Sequence, residues 1–327
     1  MFRRDIHRLR GLALVLILVI HAVRLFDHSV RYPIFLPMSM LGGNATVLFL
    51  FISGYLFRHL SDRFRPRAYL VRKLRYVMAP YLLWSLPAVA LALAGLAEAP
   101  RMVFADYPAP VQALLLLVTG QHLLPFWFLP TLFLFYLCGP LFIRLDRDGR
   151  VYWLLPLLVV LSVVVPRDMA FPPQSFVHLF SVYLAGMYCS RYRVRVLDFV
   201  GRYGWLIASL VLGLVAWEYA ILDVWRHNPL NFLHKLLLCP LLLWVLDRVP
   251  VWGGRLLDYL AGISFGLFFV HYYWIRGFQL VLGRDGLPLP DVPLAALYVT
   301  ALLLVSVATV EAVRRLSGRY SRMVVGC

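Results

Sequence analysis

The sequence predicts an all-α protein, a polytopic membrane bundle of about ten transmembrane helices forming one domain over residues 1–327. Three observations predict it. Apolar residues make up 62% of the 327, and charged residues only 15%, against roughly 25% in ordinary soluble domains. About ten apolar segments, most of them near the length needed to cross a bilayer, follow one another along the chain. The basic residues concentrate in alternate connecting segments, the pattern that orients membrane helices.

A spanning helix needs about 20 mostly apolar residues. Spans are expected near 10–26, 39–58, 76–97, 123–145, 151–166, 175–190, 204–221, 230–247, 257–282 and 293–315. The fifth and sixth are short. The apolar stretch 110–119 is too short to cross alone and is expected to lie at the interface or re-enter. Prolines 80, 87, 130, 140, 156 and 240 fall within spans and predict kinks where neighbouring helices satisfy the freed backbone groups.

The net charge is +16, from 32 Lys and Arg against 16 Asp and Glu. Such an excess on a soluble chain would suggest nucleic acid. Here it sits between apolar runs, so no nucleic-acid partner is expected and membrane lipids are. With ten spans and a cytoplasmic N-terminus, 24 of the 32 basic residues fall in inner segments and 8 in outer ones. That bias predicts both chain ends in the cytoplasm, and it argues against 110–119 as a full span, which would invert every later loop. The first apolar run follows Arg3, Arg4, Arg8 and Arg10 like a signal peptide, but no small-residue cleavage site follows, so it is expected to be retained. Cys138, Cys189, Cys239 and Cys327 have no metal-ligand spacing and read as small apolar fillers; no metal is expected.

Ionisable side chains at bilayer depth are costly and therefore functional candidates. His21 follows Arg10 by eleven residues, about 1100° of helix, or three turns plus roughly 20°. The two side chains thus share one face, about 16 Å apart along the axis. A guanidinium at the inner mouth suits phosphate, and a deeper imidazole suits proton removal from a hydroxyl. The plainer reading makes Arg10 a topological anchor and His21 a helix-packing group. His271 lies about 20 Å into its helix, close to the depth of His21, so both histidines are candidates to line one cavity; alternatively it belongs to an outer aromatic belt with Tyr272, Tyr273 and Trp274. Glu218 is expected at the outer interface. Arg72, Lys73 and Arg75, just before Pro80-Tyr81-Leu82-Leu83-Trp84, and Arg58 on the same side, form a basic cluster that suits either phosphate or lipid headgroups.

These residues fall into a familiar order. Arg10-Gly11-Leu12-Ala13 with His21 after a ten-residue gap resembles the Arg–x10–His signature of the acyltransferase-3 family of integral membrane O-acyltransferases. Phe49 to Leu56 resembles its phenylalanine-rich Ser-Gly segment, Arg72 to Trp84 its basic-then-Pro-Tyr-Leu segment, Trp127-Phe128-Leu129 with Phe135-Tyr136 and Pro140 its Trp-Phe-Leu helix, and Ile263 to His271 its late Ser-Phe-Gly…His segment. Five patterns in family order cover most of the chain. Two positions depart: His7 stands where many members have Asp, and Ala45-Thr46-Val47 where many have Gly-Val-Asp.

The resemblance implies helices around a central pore, an acyl-CoA donor (usually acetyl-CoA) on the cytoplasmic side, and transfer to a hydroxyl, usually of a glycan. It makes His21 the catalytic residue, with Arg10 as its partner in donor binding, and raises Arg72 and Arg75, with Arg58 beside them, as donor-phosphate contacts. His271 is expected to orient the acceptor or polarise the carbonyl. The acceptor is expected to be a glycan or a small hydroxylated molecule, and the location the bacterial cytoplasmic (inner) membrane. No esterase-like domain is appended, so transfer is expected to be direct or handed to a separate extracytoplasmic glycan-processing protein. Two rivals remain from the residues alone: an exporter of lipid-linked saccharide, and a haem or quinone protein using His21 and His271 as ligands.

Overall fold

The computed structural model describes residues 3–22, 39–40, 42–96, 104–221, 229–250, 254–282 and 292–327. Among these residues there are helices and turns and no strands. Four helices are long and apolar enough to cross a membrane: Pro66–Leu93, Arg193–Ile221, Pro229–Arg248 and Ala296–Val324. Two bent pairs raise the number to six if each is one span. One is Ala109–Thr119 with Leu124–Leu137, bent by 71°; the other is Arg255–Gly262 with Ser264–Val281, bent by 77°. The chain is a multi-pass membrane protein, and its lipid-facing residues fit that solvent: Leu157, Val164, Trp205 and Leu212 are each at least 66% exposed, an arrangement water would penalise.

We number the helices α1 (Arg4–Ala22), α2 (Thr46–His59), α3 (Pro66–Leu93), α4 (Ala109–Thr119), α5 (Leu124–Leu137), α6 (Gly139–Asp146), α7 (Arg150–Val164), α8 (Pro172–Arg191), α9 (Arg193–Ile221), α10 (Pro229–Arg248), α11 (Arg255–Gly262), α12 (Ser264–Leu282) and α13 (Val292–Ser317), which a short turn over Ser321–Val324 follows. Each expected span contains helix among the described residues, but α1, α2, α7 and α8 are not among the helices long and apolar enough to cross, and several others differ in form. The 123–145 segment breaks at Cys138 into α5 and α6. The 257–282 segment breaks at Ile263. The 76–97 segment begins ten residues earlier, at Pro66, and passes through a π-helical turn over Leu74–Met78 just before Pro80. Such a turn accommodates the ring that lacks an N–H. Pro87 and Pro240 lie inside helices, Pro140 falls at the start of α6, where the missing donor costs nothing, and Pro156 falls where the 3₁₀ start of α7 over Arg150–Leu154 passes into α-helix. α4 and α5 form the bent pair that the short 110–119 run foreshadows. Residues 23–38, 97–103 and 283–291, and with them Arg24, Arg31, Arg101 and Arg284, lie outside the described residues, as does Arg226.

Glycine sets the closest helix approach. At Gly54 a Cβ would lie 2.0 Å from the Tyr183 carbonyl, and at Gly186 a Cβ would lie 2.1 Å from that of Phe51. α2 and α8 therefore touch backbone to backbone, as small residues permit in membranes. The Ser-Gly pair of the phenylalanine-rich segment is thus explained by packing. Around this crossing Phe135, Phe142 and Tyr183 are buried and in ring contact, with centroids 4.6–6.2 Å apart.

Candidate active site

Asp5 sits in the first turn of α1, where the helix dipole favours an acid. Its buried stripe runs through Ile6, Leu9, Ala13, Leu14 and Ile17, spaced three or four residues apart as a packed face requires. Its charged end is tied down thoroughly. Arg8, 1% exposed, donates to the Val249 and Pro250 carbonyls and pairs with Asp258 at 3.2 Å. Asp5 pairs with Arg193, which also reaches Asp247 and the Tyr55 hydroxyl. A cavity of about 410 Å³ opens beside these groups, lined by Arg3, Arg4, Asp5, Asp247 and Arg248 among others.

α11 packs on α1 at Gly11, where a Cβ would lie 2.5 Å from the Leu257 carbonyl. Arg10 donates from Nη2 to the Ala261 carbonyl at 2.6 Å, and His7 bonds the Asp258 carbonyl at 2.9 Å. Burial, followed by the neighbouring Arg10 charge, holds the His7 pKa below 6.5. The 77° bend then directs α12 toward the far end of α1. There His271, fully buried, meets His21: Nε2 of one lies 2.9 Å from Nδ1 of the other. Arg10 and His21 therefore both face the α11–α12 pair, the shared face their spacing predicts.

The protons in this pair follow from its partners. His271 Nδ1 lies 2.9 Å from the Leu267 carbonyl. A carbonyl only accepts, so Nδ1 carries the proton and Nε2 of the neutral ring carries the lone pair. That lone pair accepts the Nδ1–H of His21, which leaves the lone pair of neutral His21 on its own Nε2. The Leu267 carbonyl, His271 and His21 are hydrogen-bonded in series. Both His271 nitrogens are thus engaged by protein groups, Nδ1 by the Leu267 carbonyl and Nε2 by His21. Tyr272, expected in an outer belt, is 8% exposed and sets its ring edge on His21 at 5.7 Å. Tyr273 donates to the Trp84 carbonyl, so it too faces protein.

The basic cluster separates. Arg58 is bound by Asp146, Nε to Oδ2 at 2.6 Å, and Asp146 also holds Arg191. Lys73 turns inward, 4.3 Å from the centre of the Tyr136 ring. Arg72 and Arg75 are exposed, and among the described residues neither has a carboxylate partner; Arg75 donates to the Met323 sulfur. The segment Ser321–Cys327 lies between Arg75 and α12: Trp84 donates to the Val324 carbonyl at 2.9 Å, and Gly326 abuts Phe265.

Residues 3–311 match the acyltransferase-3 family, described as an acyltransferase domain. The chain belongs to the acyltransferase-3 family. No curated protein and no solved structure matches it. In this acyltransferase-3 chain two further polar clusters stand out, one around His122, which the sequence reading did not name, and one around Glu218, which it placed elsewhere. His122 joins the α4–α5 elbow to α3, with Nδ1 on the Leu116 carbonyl and Nε2 on the Ser85 hydroxyl. Glu218, expected at the interface, is 1% exposed and bonded by Asn231 and His234, while the adjacent Lys235 donates to the Met40 carbonyl. Lys235 is 2% exposed and so is no loop residue, although it counts among the outer basic residues by sequence. The signal was the spacing of Asn231, His234 and Lys235, which places all three on one face of α10.

Proposed function

We propose that the protein is an O-acyltransferase that takes an acyl group, in the simplest case acetyl, from acyl-CoA and passes it to a hydroxyl of a glycan or glycoconjugate. Family membership supports acyl transfer, and the His21–His271 relay supports the choice of base. The remaining spans of the ten, a central pore, a cytoplasmic N-terminus and a bacterial inner-membrane location belong to this proposal; the distribution of basic residues supports the orientation.

In this mechanism Arg10, Arg72 and Arg75 hold the phosphates of the donor at the end of the bundle where α1 begins. Guanidinium groups suit that task by their planar, bidentate geometry. Arg58, already neutralised by Asp146, is left to tie α2 to α6. His21 Nε2 takes the proton of the acceptor hydroxyl as its oxygen bonds to the thioester carbon. The carbon–sulfur bond then breaks, and His21 returns the proton to the departing thiolate. His271 Nε2, accepting from His21 Nδ1–H, steadies the imidazolium between the two steps. The directed relay is the single observation that carries this assignment. The test is labelled acetyl transfer from acetyl-CoA by the protein in nanodiscs. His21→Ala is expected to lose transfer while eluting and melting like the parent; an active, well-folded His21→Ala protein would overturn the mechanism. Saccharide movement without acyl-CoA would point to an exporter.

A further inference from the structure

Arg167 lies between α7 and α8, in the turn that follows α7. Its Nη1 donates to Asn44 Oδ1 at 2.8 Å, and its guanidinium sits 5.0 Å from the centre of the Trp127 ring. Among the described residues no carboxylate reaches it. The adjacent Asp168 is turned to its own backbone, with Oδ1 accepting from the Ala170 amide. Loss of water lowers the Arg167 pKa to about 10, and no acid offsets it. The group remains a full cation at neutral pH, and only one of its five N–H donors is engaged among the described residues.

Both of its supports connect to the histidine pair through intervening residues. Asn44 stands two residues after Gly42, where a Cβ would lie 2.6 Å from Cβ of Ile20, the neighbour of His21. Asn44 is also the sole residue other than glycine with positive φ among those described, at 50°. That uncommon conformation turns its amide toward the guanidinium. Trp127 follows Phe126, whose ring stacks on Phe268 at 6.2 Å, and Phe268 lies 6.1 Å from His271. A cation stacked on an indole, with its fork open and no carboxylate paired with it among the described residues, is built to receive an oxyanion.

We infer that Arg167, Asn44 and Trp127 form a subsite for an oxyanion on the acceptor, a carboxylate or a phosphate, next to the hydroxyl that is acylated. This rests on the proposed acyl transfer, and it makes the acceptor an acidic saccharide or a phosphorylated one. Asn44 holds the guanidinium in the plane that Trp127 supports, so the two free edges of the fork face the ligand.

The experiment uses the full chain in nanodiscs of zwitterionic lipid and three probes: methyl β-glucoside, methyl β-glucuronide and methyl glucoside 6-phosphate. Binding is measured by saturation-transfer NMR. At least one anionic probe is expected to bind about tenfold or more tighter than the glucoside, and the stronger of the two identifies carboxylate or phosphate. Arg167→Gln is expected to remove the difference, and Arg167→Lys to keep part of it. Asn44→Ala, which leaves the charge in place, is expected to weaken anion binding without touching the glucoside. Equal binding of charged and neutral probes, or a preference that survives Arg167→Gln, would overturn the subsite. Labelled acetyl transfer in the same nanodiscs separates the two levels. A protein that prefers anions yet transfers nothing keeps the subsite and sinks the acyltransferase proposal. Equal kcat/KM for the glucoside and both anionic probes does the reverse.

Discussion

His21 and His271 share one hydrogen bond, nitrogen to nitrogen at 2.9 Å, across 250 residues of chain. Their rings lie within 7° of parallel, and the far nitrogen of His271 is anchored on the Leu267 carbonyl. This bond has a consequence for kinetics. His271→Ala leaves His21 without a fixed tautomer, so kcat is expected to fall by about 10²-fold or more, with KM for acetyl-CoA little changed. The His21→Ala/His271→Ala double variant should be no slower than His21→Ala alone, because the two act as a unit. Initial rates of labelled acetyl transfer check both statements, and additive losses would show independent roles.

Arg10, Arg72 and Arg75 should act on donor affinity. Replacing any one by Ala is expected to raise KM for acetyl-CoA by about tenfold, and added salt should weaken the exposed Arg72 and Arg75 contacts most. Arg10→Lys should recover only part of the loss, since an ammonium cannot grip phosphate in a fork. KM measured from low to high ionic strength decides this; unchanged values would remove the donor cradle.

Arg58 is expected to behave differently. Its partner Asp146 is 7% exposed and also carries Arg191, so Arg58→Ala weakens a largely buried ion pair, at a cost of about 2 kcal/mol. The melting temperature should fall while KM for acetyl-CoA holds. A raised KM with an unchanged melt would return Arg58 to the donor site.

His7 gives a pH signature in stability. Burial holds its folded pKa below 6.5, so as pH falls from about 6.5 the unfolded chain takes up a proton that the folded chain refuses. Stability is therefore complete above that pH and is lost as pH drops toward the folded pKa. Melting temperatures from pH 7.5 to 5 should decline more steeply for the parent than for His7→Gln; identical slopes would assign the decline elsewhere.

Gly54 and Gly213 make a matched pair for packing. A Cβ at Gly54 would lie 2.0 Å from the Tyr183 carbonyl, whereas at Gly213 it meets nothing within 4 Å. Gly54→Ala should abolish a monodisperse elution profile, and Gly213→Ala should be silent. A well-behaved Gly54→Ala protein would contradict the α2–α8 contact.

Much of this was legible before any coordinates. A lipid-soluble composition needs no partner to be recognised, and helical phase carries Arg10 and His21 to one face because 100° per residue is nearly invariant. Breaks were harder. The 77° bend at Ile263 has a local mark only in Gly262 and Ser264, residues that stop and start helices, and its angle depends on packing against distant helices. Glu218 was misplaced for a related reason. Depth in a helix can be counted, but whether lipid or another helix covers that depth depends on α10 bringing Asn231 and His234 alongside.

Composition, charge bias and helical periodicity were enough to identify a multi-helix membrane protein and to nominate Arg10, His21 and His271, because those properties act over a few turns of one chain segment. The bond that turns two histidines into a proton relay, the Asp146 that claims Arg58, and the open guanidinium of Arg167 on Trp127 arose from packing alone. Each joins residues whose separation in sequence says nothing about their distance in space, and only the packing of the helices against one another brings such groups within bonding range.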